Sequence, residues 1–236
     1  MKRVISFILI VGLLFVVGCE NKDASVSIKK ENEAVSVSGK PKPDTQANPS
    51  EETVPTIEGP EPADTDIVKI LDYIPDAVID LRYATANNFT GVIIYEDDAA
   101  FLRYGTVKKL AAVQEKLNEK GLRILIWDAY RPKEAQFRLW EVCPDPAFVA
   151  NPNKGFSSHS RGNTVDISVV DEKGNPLEMP SEFDEFNKKA DRNYNDVSDI
   201  AAENSLMLET IMTECGFVGY SGEWWHYTDT QDYPVE

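Results

Sequence analysis

Ser157-Ser158-His159-Ser160-Arg161-Gly162-Asn163-Thr164-Val165-Asp166 has to be read together with Glu223-Trp224-Trp225-His226 near the C-terminus, because these two stretches hold both histidines of the chain. Two His and one Asp are a common three-ligand shell for a catalytic metal with a fourth position open to water, and neutral imidazole with carboxylate suits Zn²⁺. Glu223 then remains as a carboxylate outside the shell. His159 and Asp166 are seven positions apart, so on one uninterrupted strand they would face opposite sides of a sheet. A turn must intervene, and Arg161-Gly162-Asn163 supplies one, since Gly and Asn tolerate the positive φ of a tight reversal. Asp166 then opens a strand, Asp166-Ile167-Ser168-Val169-Val170, with polar and apolar side chains on opposite faces. Glu223 and His226 share a face only on a helical turn or an irregular stretch, and the residues do not choose between them. The competing interpretation is plain: a His among aromatics is more often a packed, hydrogen-bonded core residue, and an Asp after a turn is often a cap. Short motifs of this kind do match by chance.

The pattern S-x-H-x-x-G-x-x-x-D, followed some sixty residues later by E-x-W-H, resembles the VanX-type D-alanyl-D-alanine dipeptidases. These are zinc peptidases whose fold is shared with D-Ala-D-Ala carboxypeptidases and hedgehog domains. The likeness extends, in the family's order, over Asp80-Leu81-Arg82-Tyr83-Ala84-Thr85 with Asn88-Phe89-Thr90-Gly91, over Trp127-Asp128-Ala129-Tyr130-Arg131-Pro132, and over Phe183-Asp184. Thr164 stands where the family often has Ala, and no ligand is missing. The resemblance implies one Zn²⁺ per chain on His159, Asp166 and His226, with Glu223 as proton-transfer residue and Arg131 stabilising a negative tetrahedral intermediate. It also implies Tyr83 lining the substrate pocket, Ser157 near the substrate backbone and Asp184 facing its free ammonium. Each has an ordinary alternative: Arg131 a surface residue paired with Asp128, Tyr83 a core aromatic, Ser157 a turn residue, Asp184 one solvated carboxylate among Glu182-Phe183-Asp184-Glu185. Trp224 and Trp225 are expected to pack around the site.

At the other end, Lys2-Arg3 precedes an apolar run from Val4 to Val17, which reads as an export signal. The run falls short of the roughly 20 residues of a membrane span. Gly18 directly before Cys19 resembles a bacterial lipobox, so residues 1–18 are expected to be a lipoprotein signal peptide and Cys19 to carry lipid. An uncleaved anchor or a conventional signal peptide are the alternatives. Residues 19–64 are rich in Ser, Lys, Glu, Pro, Asn and Thr without sustained periodicity, the composition of a disordered tether. The chain is expected in the cell envelope, outside the cytoplasm, anchored to a membrane through that lipid.

The formal charge of −16 argues against nucleic acid, whose binding depends on neutralising phosphates with Lys and Arg. Small neutral or zwitterionic substrates remain open, since charge at the site matters more than the total. No protein partner is expected.

Residues 65–236 suffice for one domain with a substantial core. Within it, Ile67 to Leu71 and Ala77 to Tyr83 read as short extended or turn segments. Thr106 to Lys120 has Val107, Leu110, Ala111, Val113 and Leu117 at helical spacing and is stopped by Gly121. Leu122 to Trp127 reads as a buried strand, while Lys133 to Cys143 and Ala201 to Thr213 read as helices. The mixture, without repeating strand–helix alternation, indicates α+β; the resemblance implies a small antiparallel sheet flanked by helices. Cys143 and Cys215 can pair or stand as separate thiols, and nothing in the sequence brings them together.

Three functions compete: a zinc dipeptidase acting on D-alanyl-D-alanine, a D-alanyl-D-alanine carboxypeptidase trimming peptidoglycan stems, and a zinc-binding lipoprotein without turnover. Glu223 and Arg131 argue against the last, since holding metal requires neither. The chain's own residues say nothing of D-stereochemistry, or of a role in antibiotic resistance, nutrition or wall turnover.

Overall fold

The computed structural model describes residues 59–235. The signal peptide, Cys19 and most of the expected tether lie outside the described residues. Packed chain begins slightly before the expected boundary, because the Tyr104 hydroxyl donates to Glu61 at 3.0 Å and Lys108 pairs with Asp64 at 2.6 Å.

A five-stranded sheet carries the site. Its strands are β2 (Val78–Ile79), β4 (Leu122–Asp128), β5 (Thr164–Asp171), β7 (His226–Asp229) and β6 (Phe217–Gly219), side by side in that order. All neighbours are antiparallel except β2, which runs parallel to β4. A separate ribbon pairs β1 (Ile67–Lys69) with β3 (Phe101–Arg103). The helices are α1 (Tyr104–Asn118), α2 (Lys133–Val142) and α3 (Asp199–Glu214). This is the expected α+β class, with helix ends within about two residues of those read from periodicity.

Local causes are clear. In α1, Val107, Leu110, Val113 and Leu117 recur every three or four residues and are fully buried, the apolar stripe that turns a helix onto a core. The Ser198 hydroxyl accepts from Ala201 N at 3.1 Å and caps α3. Strand β5 begins two residues earlier than expected, at Thr164; it is the central strand, paired along both edges with β4 and β7, and its side chains are buried on both faces. Cys143 and Cys215 are separate thiols.

Register decides what reaches the site. Asp166 lies opposite His226, and Val165 opposite Tyr227, and residues directly opposite share a face of the sheet. Asp229, two residues along from Tyr227, takes a hydrogen bond from Thr106 of α1 at 2.8 Å, so α1 covers the face of Val165 and Tyr227. Asp166 and His226 are on the other face. On β4 the pairing runs regularly to Ile126 opposite Ile167 and then skips, putting Asp128 opposite Asp166. The extra residue, Trp127, is a bulge that turns Asp128 onto the face of Asp166.

Candidate metal centre and substrate pocket

Three elements bring the donors together. Asp166 lies in β5 and His226 opens β7 directly opposite it. His159 stands on a single 3₁₀ turn, Ser158–Arg161, whose entry is capped by Ser157: its Oγ accepts from His159 N at 3.3 Å. Gly162 ends that turn at φ 75°, the left-handed conformation that favours glycine, and a Cβ there would also press on Ile67 Cδ1 at 2.8 Å, so that side chain would have to shift. The expected turn is therefore present. Glu223 and His226 meet through the irregular alternative, a short turn in which His226 N donates to Glu223 O at 3.4 Å.

The ring orientations follow from hydrogen bonds. A carbonyl only accepts, so His159 Nδ1, 2.8 Å from Ala129 O, carries the proton, and Nε2 is left with its lone pair 3.3 Å from Asp166 Oδ2. His226 is turned the other way, with Nε2 3.4 Å from Ser158 Oγ and Nδ1 3.0 Å from Asp166 Oδ1. One donor atom from each of the three residues lies within 4.8 Å of the others. Asp166 Oδ1 is buried and, although the His226 ring nitrogen lies 3.0 Å away, makes no hydrogen bond among the described residues. Buried polar atoms are seldom left so, and a cation bound by Asp166 and both imidazoles would complete this one. The donors thus fit a metal ion, and one carboxylate with two imidazoles suits zinc. Burial pushes the Asp166 carboxyl up, but His159 and His226 outweigh it and hold it well below the usual carboxylate range. For His159, burial pushes the imidazole down, and the charges of Asp166 and Asp128 reverse that and raise it.

Glu223 Oε2 is 3.5 Å from His226 Nδ1, beside the donors. Burial first, then the charge of Asp166, raise its carboxyl above the usual range, the direction expected of a group that must both take and give a proton.

Arg131 is buried and not the surface residue of the ordinary interpretation, although it does pair with Asp128. Its guanidinium also donates to Gln136 Oε1 at 3.0 Å and Tyr95 Oη at 3.4 Å, and lies 5.1 Å over the Tyr83 ring. Three of its five N–H groups are thus engaged, which fixes the plane of the fork and leaves two for a ligand. Tyr83 is buried as a core aromatic, and its hydroxyl donates to Asp184 Oδ2 at 2.7 Å. Asp184 sits at φ 55°, and its carboxyl is pushed up to about 8, by burial first and then by the charges of Asp166 and Glu223, against the downward pull of the Tyr83 hydroxyl. Ser157 is occupied as a cap. Trp224 and Trp225 are fully buried and pack edge to face, ring centres 5.6 Å apart.

Sequence reasoning missed the supporting residues. Asp128 entered only as a surface partner for Arg131; it is buried, accepts from the Tyr95 hydroxyl, and lies 3.6 Å from His159 Nδ1. Tyr95, Gln136 and Ser158 carried no periodic or spacing signal. An apolar cavity of about 500 Å³ lies beside the site, against Tyr95 and Ala129, but contains none of the metal donors.

Acid, imidazole and guanidinium converging on one sheet face are the constellation of a metal-dependent hydrolase. The chain belongs to the D-ala-D-ala dipeptidase family, whose sequence pattern matches residues 63–235. It is 40% identical over 173 residues to the D-alanyl-D-alanine dipeptidase of Escherichia coli K12, covering 72% of this chain and 89% of that one. The D-alanyl-D-alanine dipeptidase of Enterococcus faecium is 34% identical over 168 residues, 63% of this chain and 83% of that one. Among solved structures, VanYB in complex with D-Alanine-D-Alanine aligns with a TM-score of 0.38 at 16% identity, over 57% of this chain and 75% of that one.

Proposed function

We propose that this chain hydrolyses free D-alanyl-D-alanine with a single zinc ion held by His159, Asp166 and His226. The observation that carries the reading is the convergence of three metal donors, a spare carboxylate and a fixed guanidinium on one face, in a chain of the dipeptidase family. When bound, zinc lowers the pKa of a coordinated water toward about 7 and polarises the scissile carbonyl. Glu223 accepts the water's proton and passes it to the leaving amine as the C–N bond breaks. Arg131 stabilises the negative charge that develops on the carbonyl oxygen. Asp184, backed by Tyr83, receives the substrate's ammonium, and Ser157 borders the substrate backbone.

Asp184 separates dipeptide from stem peptide. A dipeptide presents a free ammonium one residue from the scissile bond, whereas a peptidoglycan stem presents a neutral, acylated nitrogen there. An ammonium draws the buried Asp184 into its charged form and pairs with it, whereas a neutral acylated nitrogen can make no such pair and forgoes that attraction. Free D-alanyl-D-alanine is therefore expected to be hydrolysed while its N-acetyl derivative is nearly inert. Asp184→Ala is expected to lower kcat/KM for the free dipeptide far more than for the acetylated one. An incoming ammonium favours the charged carboxylate, so productive binding releases a proton held at neutral pH, and the wild type gains more than Asp184→Asn as pH rises toward 8. Equal rates on free and acetylated substrate in the wild type would move the assignment to a carboxypeptidase. L-alanyl-L-alanine in the same assay tests the stereochemistry.

The site works outside the cytoplasm in this reading, with Cys19 lipidated after removal of residues 1–18 and the tether holding the domain off its membrane. The support is the basic start, the short apolar run and Gly18-Cys19. Cys19→Ser is expected to release the protein from membranes; a variant that still partitions wholly with them defeats the anchor.

A further inference from the structure

Three phenylalanines from separate loops meet beside Asp184. Phe186 follows it closely, because Asp184 takes the left-handed conformation and Phe186 N donates back to Asp184 O at 3.0 Å. Phe89 comes from the loop after Tyr83, which Asn88 locks by donating to the carbonyls of Thr85 at 2.7 Å and Val92 at 2.9 Å. Phe148 comes from the segment after α2, in a turn where its N–H donates to Asp145 O at 3.1 Å. Ring centres are 5.3 Å apart for Phe89 and Phe186, and 5.0 Å for Phe148 and Phe186. Phe89 also meets Tyr83 edge-on at 6.4 Å, the same Tyr83 whose hydroxyl holds Asp184.

Phe89, Phe148 and Phe186 are 36%, 47% and 36% exposed as residues. Single exposed apolar residues need no explanation, but contiguous ones mark a surface used for something. Here the surface adjoins the carboxylate assigned to the substrate's amine. We propose that Phe89, Phe148 and Phe186 form a wall across the amine end of the pocket that sets substrate length by volume, independently of the charge of Asp184. The proposal rests on the reading that Asp184 receives the ammonium. A group attached to that nitrogen has to extend away from the scissile bond. Tyr83 joins the two features, since its hydroxyl holds Asp184 while its ring meets Phe89, and Phe186 lies two residues from Asp184. Two filters then act on one atom: Asp184 requires charge, and the wall limits bulk.

N-alkylated dipeptides separate the filters, because a secondary amine stays cationic while its substituent grows. The experiment measures kcat/KM of zinc-loaded enzyme on D-alanyl-D-alanine and its N-methyl, N-propyl, N-benzyl and N-acetyl derivatives. Wild type is expected to lose activity steeply from methyl to benzyl. Phe186→Ala and Phe148→Ala are expected to raise the benzyl-to-unsubstituted ratio about tenfold or more, the scale on which apolar pockets discriminate size, and to leave the acetyl derivative inert. Asp184→Asn is expected to do the reverse, narrowing the gap between acetyl and unsubstituted substrate without admitting benzyl. Phe→Leu variants and zinc content control for damage to the fold. Size-independent hydrolysis of the alkyl series by wild type, or ring variants that depress all substrates equally, overturns the wall alone. A wild type inert toward the free dipeptide overturns the function and the wall with it.

Discussion

Glu223→Ala is expected to retain its zinc and to lose hydrolysis by about 10²–10⁴-fold, the contribution usual for a positioned general acid–base. The two outcomes separate because of where Glu223 stands. The donor atoms of His159, Asp166 and His226 lie within 4.8 Å of one another without it, so its loss leaves the ligand shell whole. Its carboxylate sits 3.5 Å from His226 Nδ1, close enough to reach a water on the metal. Removing that negative charge weakens the local attraction for a cation without taking away a ligand, so zinc affinity should hold or fall only modestly. Metal analysis and dipeptide turnover on the same preparation check both halves. A variant that turns over near the wild-type rate would falsify the assignment of proton transfer.

Arg131 should be costly to replace for two reasons that can be told apart. Arg131→Ala leaves the Asp128 carboxylate, whose side chain is 0% exposed, buried without its cation. Breaking a buried pair from one side typically costs about 3–5 kcal/mol, so a marked fall in the thermal midpoint is expected. Activity should fall by about 10²–10³-fold, the scale for losing one stabiliser of a developing oxyanion. Arg131→Lys separates the effects. It restores a positive charge near Asp128 and much of the stability, but an ammonium cannot span Asp128, Gln136 and Tyr95 as the planar fork does. Its charge is then no longer held in one place, and turnover should stay low. A Lys variant with full activity would show that only charge matters there.

How much of this was legible follows from particular residues. His159, Asp166 and His226 stand out because imidazole is scarce, and the odd spacing of the first two demanded the turn that Gly162 makes. Helices α1, α2 and α3 are visible as periodic stripes. The supports of the site are not visible in this way. Asp128 reaches the metal face only because Trp127 is an extra residue in β4, and a bulge leaves no mark on alternation. Tyr95 lies in an acidic loop without period, and its bonds to Asp128 and Arg131 join segments more than thirty residues apart. The strands β6 and β7 are too short, at three and four residues, for alternation to declare them.

The opposite ring orientations of the two histidines make the centre spectroscopically transparent. Every imidazole signal in a nitrogen-15 spectrum of this chain comes from His159 or His226, with no background from elsewhere. On adding zinc, the Nε2 resonance of one ring and the Nδ1 resonance of the other should shift. The Nδ1 proton of His159, held by the Ala129 carbonyl at 2.8 Å, should persist against exchange, while its counterpart on His226, 3.4 Å from the Ser158 hydroxyl, exchanges faster. The order in which the two ligands engage the ion can then be followed in unlabelled substrate solution, without altering a residue.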